Sequence, residues 1–132
     1  MIELTGHSLT IDDFKRICLE REEVTISEAS MAEVERSRLA VDEIVANREI
    51  VYGINTGFGK FSDVIINEKD TDDLQLNLIR SHACGVGPLF PEVVSRAMIV
   101  LRLNALLKGL SGVRPELVEL LKELINQQVH PG

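Results

Sequence analysis

Tryptophan is absent from this sequence, tyrosine occurs once, and aromatic residues fill only 4% of its 132 positions. So few rings cannot build the stacking platform on which single-stranded nucleic acid is bound. Basic charge is scarce too: 14 Lys and Arg stand against 21 Asp and Glu, a formal charge of −7. That sign repels phosphate backbones and anionic lipid, so neither nucleic acid nor a membrane is an expected partner. The only two cysteines, Cys18 and Cys84, are far apart and have no neighbour at metal-ligand spacing. This pattern excludes a disulfide framework and points to a reducing compartment. The longest apolar stretch, Val93 to Leu107, is broken by Arg96 and Arg102 and is too short to cross a bilayer. The opening residues, Met1 to His7, lack the basic start and apolar run of a signal peptide, so the expected location is cytoplasmic. What remains is aliphatic, with 45% hydrophobic and 27% charged residues. A domain of this length removes roughly two thirds of its unfolded surface from water, enough for a core.

The apolar spacing is helical over most of the chain. Thr10 and Asp13 form a capping pattern ahead of Phe14, Ile17 and Cys18. Val24-Thr25-Ile26 suits a short strand. Ser27 or Ser30 then caps a longer helix, the second through a box with Glu33, and Val34, Val41, Ile44 and Val45 hold one face to an end near Asn47. A glycine-rich run from Tyr52 to Gly59 follows, with a brief extended piece expected over Lys60 to Ile66. Asp70 or Thr71 opens a third helix, with Asp72 and Asp73 at its positive end and Leu74, Leu78 and Ile79 on its buried side. Gly85, Gly87 and Pro88 stop it. Pro91 suits the first turn of a fourth helix, along which Val94, Ala97, Met98, Leu101, Ala105 and Leu106 repeat at three and four until Gly109 and Gly112 close it. Pro115 starts the last helix, with Leu117, Leu120, Leu121, Leu124 and Ile125 apolar. The expected fold is mainly α, about five helices with one or two very short strands and a glycine-rich loop. No repeat, low-complexity tract or linker divides residues 1–132. The apolar faces of the final two helices are wider than such a chain needs, and their surplus is expected to meet a partner or further chain.

Several residues invite a chemical reading. Gly53 to Gly59-Lys60 superficially matches a phosphate-binding loop, but five residues separate its glycines where that motif has four, and Phe61 replaces the magnesium-binding hydroxyl. Gly53, Gly57 and Gly59 instead permit positive φ and close backbone approach, while Asn55 and Thr56 can hold a turn by local hydrogen bonds. Tyr52 is a proton-transfer candidate if its surroundings lower a pKa normally about 10; the plainer reading is a core-edge tyrosine with a solvated hydroxyl. His82 stands at a helix end, where histidine commonly does no more than answer the helix dipole. His7 and His130 look like terminal surface residues. No three ligands share a metal-binding spacing, so no metal is expected, and Asp12-Asp13 and Asp72-Asp73 suit helix N-termini. Cys84 lies close to His82 but has no third group to orient the pair, which favours an inert thiol.

Three blocks of the sequence carry a resemblance. Tyr52-Gly53-Ile54-Asn55-Thr56-Gly57-Phe58-Gly59, Leu76-Asn77-Leu78-Ile79-Arg80-Ser81-His82-Ala83-Cys84-Gly85-Val86-Gly87 and Asn104-Ala105-Leu106-Leu107-Lys108-Gly109-Leu110-Ser111-Gly112-Val113-Arg114 resemble successive blocks of the histidine ammonia-lyases, of the aromatic amino acid ammonia-lyase family. Their order and spacing agree over essentially the whole chain. The resemblance implies a mostly helical homotetramer that removes ammonia from L-histidine to give trans-urocanate. It implies an electrophile, a methylidene-imidazolone made by cyclisation of an internal Ala-Ser-Gly, because ordinary side chains cannot activate a poor amine leaving group. Tyr52 then matches the mobile-loop tyrosine that takes part in proton transfer, with Gly53, Asn55, Gly57 and Gly59 supporting loop closure. His82 matches the residue that helps select the substrate ring, and Ala83 beside it fits an imidazole; tyrosine-specific relatives also carry histidine there.

One departure bears on activity. No Ala-Ser-Gly occurs, since Ala29-Ser30 is followed by Met31 and Ser111-Gly112 is preceded by Leu110. In the family the electrophile follows soon after the segment matching Val129-His130-Pro131. The expectation is therefore an N-terminal segment of an ammonia-lyase, without the electrophile-bearing helical region and inactive alone. The alternatives are a stand-alone, non-catalytic helical binding or assembly module, and a lyase for tyrosine or another aromatic amino acid.

Overall fold

The computed structural model describes residues 1–47, 49, 51, 54 and 76–131. The chain forms two compact units, Met1–Ala40 with Leu89–Gly132, and Val41–Pro88. Among the described residues there are five helices and two short strands. They are β1 (Ile2–Leu4), α1 (Ile11–Leu19), β2 (Val24–Ile26), α2 (Glu28–Ala46), α3 (residues 76–82), α4 (Glu92–Leu106) and α5 (Pro115–Asn126). The expectation of a mainly α fold holds.

In the first unit α1 starts where its cap predicts. Thr10 Oγ1 accepts the Asp13 N–H at 3.1 Å, and the Asp13 carboxylate answers the Thr10 backbone, completing a capping box. The helix buries Ile17 and Cys18 and leads to β2, which pairs in parallel with β1, Ile2 opposite Val24 and Leu4 opposite Ile26. The sequence pattern names only β2, whose Val24, Thr25 and Ile26 are all β-branched, whereas β1 has only Ile2 of that kind. The far edge of β2 is closed by a side chain: Asn126 accepts the Val24 N–H at 2.8 Å and donates to the Val24 carbonyl at 2.9 Å.

The cap of α2 is Ser27, whose Oγ accepts the Ser30 N–H at 3.1 Å. The alternative box between Ser30 and Glu33 does not form. Ser30 is buried, and its hydroxyl donates to the Thr5 carbonyl at 2.9 Å. Val34 is buried and Val41 and Ile44 are half-buried, but Val45 is exposed. The helix ends one residue short of Asn47.

Helix α4 is apolar on two sides. Its inner side, Arg96, Val100, Leu103 and Leu106, joins Leu4, Ile17, Val24, Val118 and Ile125 in the core. Of the expected repeat, Leu106 is buried on this side and Ala97 is half-buried against the core, whereas Val94, Met98 and Leu101 are 38%, 56% and 53% exposed. Leu117 and Leu120 of α5 are exposed as well, so both helices carry the surplus apolar surface their sequences show. Pro91 is the N-cap of α4, one position before the first turn, and Pro115 opens α5 as expected. Gly109 closes α4 at φ +66°, and a Cβ there would lie 2.7 Å from the Glu33 Cβ and 2.8 Å from its carbonyl. Only glycine meets both demands.

Arg96, which the sequence reading treats only as an interruption, is 2% exposed. Its guanidinium donates to the carbonyls of Ile17 at 2.7 Å and Ile125 at 2.6 Å, and more distantly to that of Glu22 at 3.5 Å. The first two belong to the closing turns of α1 and α5, where carbonyls lack helical partners. Burial pushes the guanidinium's pKa down from its usual value.

Candidate functional site

The second unit carries the selector candidate. The last turn of α3 ends at His82, and the chain continues through Ala83, Cys84 and Gly85 to Gly87, which takes φ +97°. Leu78 is half-buried, whereas Ile79, expected on the buried side with it, is 66% exposed. The packed face of α3 therefore includes Leu78 and not Ile79. His82 is exposed, and its Nδ1 lies 2.9 Å from the Leu78 carbonyl and 3.0 Å from Ser81 Oγ. The Ser81 hydroxyl also donates to the Leu78 carbonyl at 2.9 Å. His82 therefore does help to cap a helix end, but with one ring nitrogen only. Nε2 is bonded to no described residue.

Cys84 is an exposed free thiol whose Sγ is 3.6 Å from the His82 carbonyl, not the imidazole, so no thiol–imidazole pair forms. Tyr52, Gly53, Asn55, Gly57 and Gly59 lie outside the described residues, as do Lys60 to Ile66 and the expected helix start from Asp70 to Leu74.

The remaining candidates lie in the first unit. His7 is exposed, as expected. His130 is not a surface residue: its side chain is 9% exposed, with Nδ1 3.5 Å from the Glu92 carboxylate and Nε2 buried without a partner among the described residues. Glu92 also takes Arg21 at 2.8 Å, and Arg21 donates to Gln128 at 2.6 Å. A long-range network of this kind leaves no local mark in a sequence. Beside it is an open cleft of about 310 Å³ lined by Cys18, Leu19, Arg21, Pro91, Glu92, Val93 and Arg96. Burial raises the Cys18 thiol's pKa and Arg96 is committed to main-chain carbonyls, so these groups hold structure. Asp12 and Asp13 sit in the first turn of α1, the role their position suggests. Among the described residues no cluster of His, Cys, Asp or Glu is arranged to hold a metal ion, and no helix is long and apolar enough to cross a membrane.

A sequence profile for the family described as aromatic amino acid lyase matches residues 9–132. The chain is 62% identical over 131 residues to the histidine ammonia-lyase of Geobacillus sp. (strain WCH70), covering 99% of this chain and 26% of that protein. It is 59% identical, with the same coverage, to the histidine ammonia-lyase of Bacillus subtilis (strain 168). Among solved structures, histidine ammonia-lyase from Trypanosoma cruzi superposes with a TM-score of 0.85 at 40% identity, covering 95% of this chain and 24% of that one. Ergothionase from Treponema denticola, solved in complex with desmethyl-ergothioneine sulfonic acid, gives 0.92 at 32% identity, covering 98% and 26%. The chain spans about a quarter of the length of the curated relatives it matches.

Proposed function

This chain belongs to the aromatic amino acid lyase family, and on that premise we propose that it supplies the lid tyrosine and ring-selecting histidine of a histidine ammonia-lyase. The observation that carries this reading is the identity to histidine ammonia-lyases along 99% of the chain. The reaction is the non-oxidative elimination of ammonia from L-histidine, giving trans-urocanate, by a cytoplasmic homotetramer. The amine leaves with its bonding pair and a β-proton is lost, so no oxidant or reductant is needed. A methylidene-imidazolone would supply the electrophile for this chemistry, but the chain holds no Ala-Ser-Gly from which to form it. That group must come from polypeptide outside these 132 residues.

The roles left to this chain are its own. Tyr52 handles a proton, and the glycines beside it let the main chain close over the substrate and exclude water. His82 meets the substrate ring from the end of α3. The exposed stripe of Val94, Met98 and Leu101 supports a place within a larger assembly, because apolar helix faces of this kind are normally covered.

Exchanging this chain for the matching segment of the Bacillus subtilis enzyme tests the reading. The chimera is expected to release urocanate from L-histidine, read as new ultraviolet absorbance, and Tyr52→Phe to lower kcat by about 100-fold or more. The 132-residue chain alone is expected to release none. Turnover by the chain alone, or a folded tetrameric chimera that ignores L-histidine, would overturn it. Preference for L-tyrosine would move the assignment to another member of the family.

A further inference from the structure

The chain leaves α5 by a strained turn. Among the described residues only Arg21 and Gln128 take positive φ without being glycine, at 59° and 57°. Each stands just past the C-cap of a helix, Arg21 after α1 and Gln128 after α5, where glycine is preferred because a Cβ is unfavourable in left-handed backbone. The two strained residues meet, since Arg21 donates to the Gln128 side chain at 2.6 Å. Glycine at either position would relieve the backbone and forfeit that bond.

Arg21 also donates to Glu92 Oε1 at 2.8 Å, and His130 Nδ1 lies 3.5 Å from the same oxygen. One carboxylate in the first turn of α4 therefore draws together a residue that follows α1 and, through Gln128 and His130, the segment that follows α5. The grip is light. The side chains of Arg21 and Glu92 are half exposed, where water competes for an ion pair. Closure also has a cost, because His130 Nε2 is buried without a partner among the described residues.

We infer that residues 127–131 form a strap, latched by Arg21, Glu92 and Gln128 and poised to release, with the His130 ring as the part that leaves its sheltered place on opening. Polar bonds favour the closed strap, whereas two left-handed residues and an unmet ring nitrogen oppose it, so the two states lie close in free energy. The inference is independent of the reaction proposed above.

Labelling of the folded 132-residue chain with diethyl pyrocarbonate, which acylates neutral imidazole, followed by peptide mass spectrometry, measures the accessibility of each of the three histidines. Exposed His7 and His82 serve as internal references. His130 is expected to react more slowly than either. Arg21→Ala, Glu92→Ala and Gln128→Gly are each expected to speed its labelling by roughly tenfold, the scale of one lost hydrogen bond, while His7 and His82 keep their rates. Gln128→Gly is the decisive variant, because it relieves the backbone while severing the bond, and its urea midpoint should not fall. It also decides the matter should Arg21→Ala or Glu92→Ala fail to fold. Gln128→Glu, which keeps an acceptor for Arg21, should leave His130 slow. A His130 rate unchanged in Gln128→Gly would overturn the inference, since the ring would then be held by packing alone. Labelling of His130 in the unaltered chain as fast as that of His7 would overturn it too.

Discussion

Arg96 and His82 do the same thing to the main chain in two different regions, each donating to carbonyls near a helix end. Arg96 is buried and commits its guanidinium to the carbonyls of Ile17, Ile125 and Glu22. His82 is exposed, commits Nδ1 to the Leu78 carbonyl, and keeps Nε2 free of described partners. The number of polar atoms left over separates a packing device from a recognition device. A side chain whose donors are spent on carbonyls holds a core together, whereas one with an atom to spare can also meet a ligand.

The comparison is broken most severely at Arg96. Arg96→Ala removes the only described side-chain donor to two buried carbonyls and opens a cavity, an expected loss of about 3–5 kcal/mol in urea unfolding. Arg102→Ala, on the exposed side of the same helix, should change stability by less than about 0.5 kcal/mol. Gly109→Ala comes next, at about 1–3 kcal/mol, because it combines left-handed backbone with a clash against Glu33.

Acid has a smaller effect. The Thr10 hydroxyl, foremost, holds the Asp13 carboxyl below its ordinary pKa, and a hydrogen bond from the N-terminal amine does the same for Glu22, with Arg16 assisting both. Groups lowered on folding stabilise the folded state above their unfolded pKa, and that contribution disappears as pH falls through the folded value. The thermal midpoint should therefore drop between about pH 5 and about pH 3. Thr10→Ala, which costs about 1 kcal/mol as a lost cap, should flatten part of that drop. At the bottom of the scale stands His82→Ala, expected to alter stability by less than about 0.5 kcal/mol while removing ring discrimination in the chimera. A large loss of stability there would erase the distinction between the two regions.

Features written in local spacing were readable in advance. The Thr10–Asp13 cap, Pro115 at the start of α5 and the strand at Val24–Ile26 all depend on neighbours a few residues away. What went unread is set by distant parts of the chain. Ser30 was available as a cap until the Thr5 carbonyl needed its hydroxyl, and His130 lies half-buried against Glu92 rather than at the surface. The buried side of α4 was ambiguous because apolar residues occupy both faces, and only packing against α1 and α5 selects Val100 and Leu103. In the candidate site the placement of His82 at a helix end was legible, since Gly85, Gly87 and Pro88 stop α3 close by. Its contact with the Leu78 carbonyl was not, because that depends on where one main-chain oxygen lies.

The clamp of Asn126 on Val24 has a consequence for the order of events during synthesis. Both polar groups of Val24 face that amide, while β1 serves the opposite edge of β2. The first strands to leave the ribosome therefore lack one of their partners until the end of α5 has also emerged. Until then the small sheet has an open edge in a nascent chain, the kind of surface that trigger-type chaperones shield and that premature pairing with a neighbouring chain would exploit.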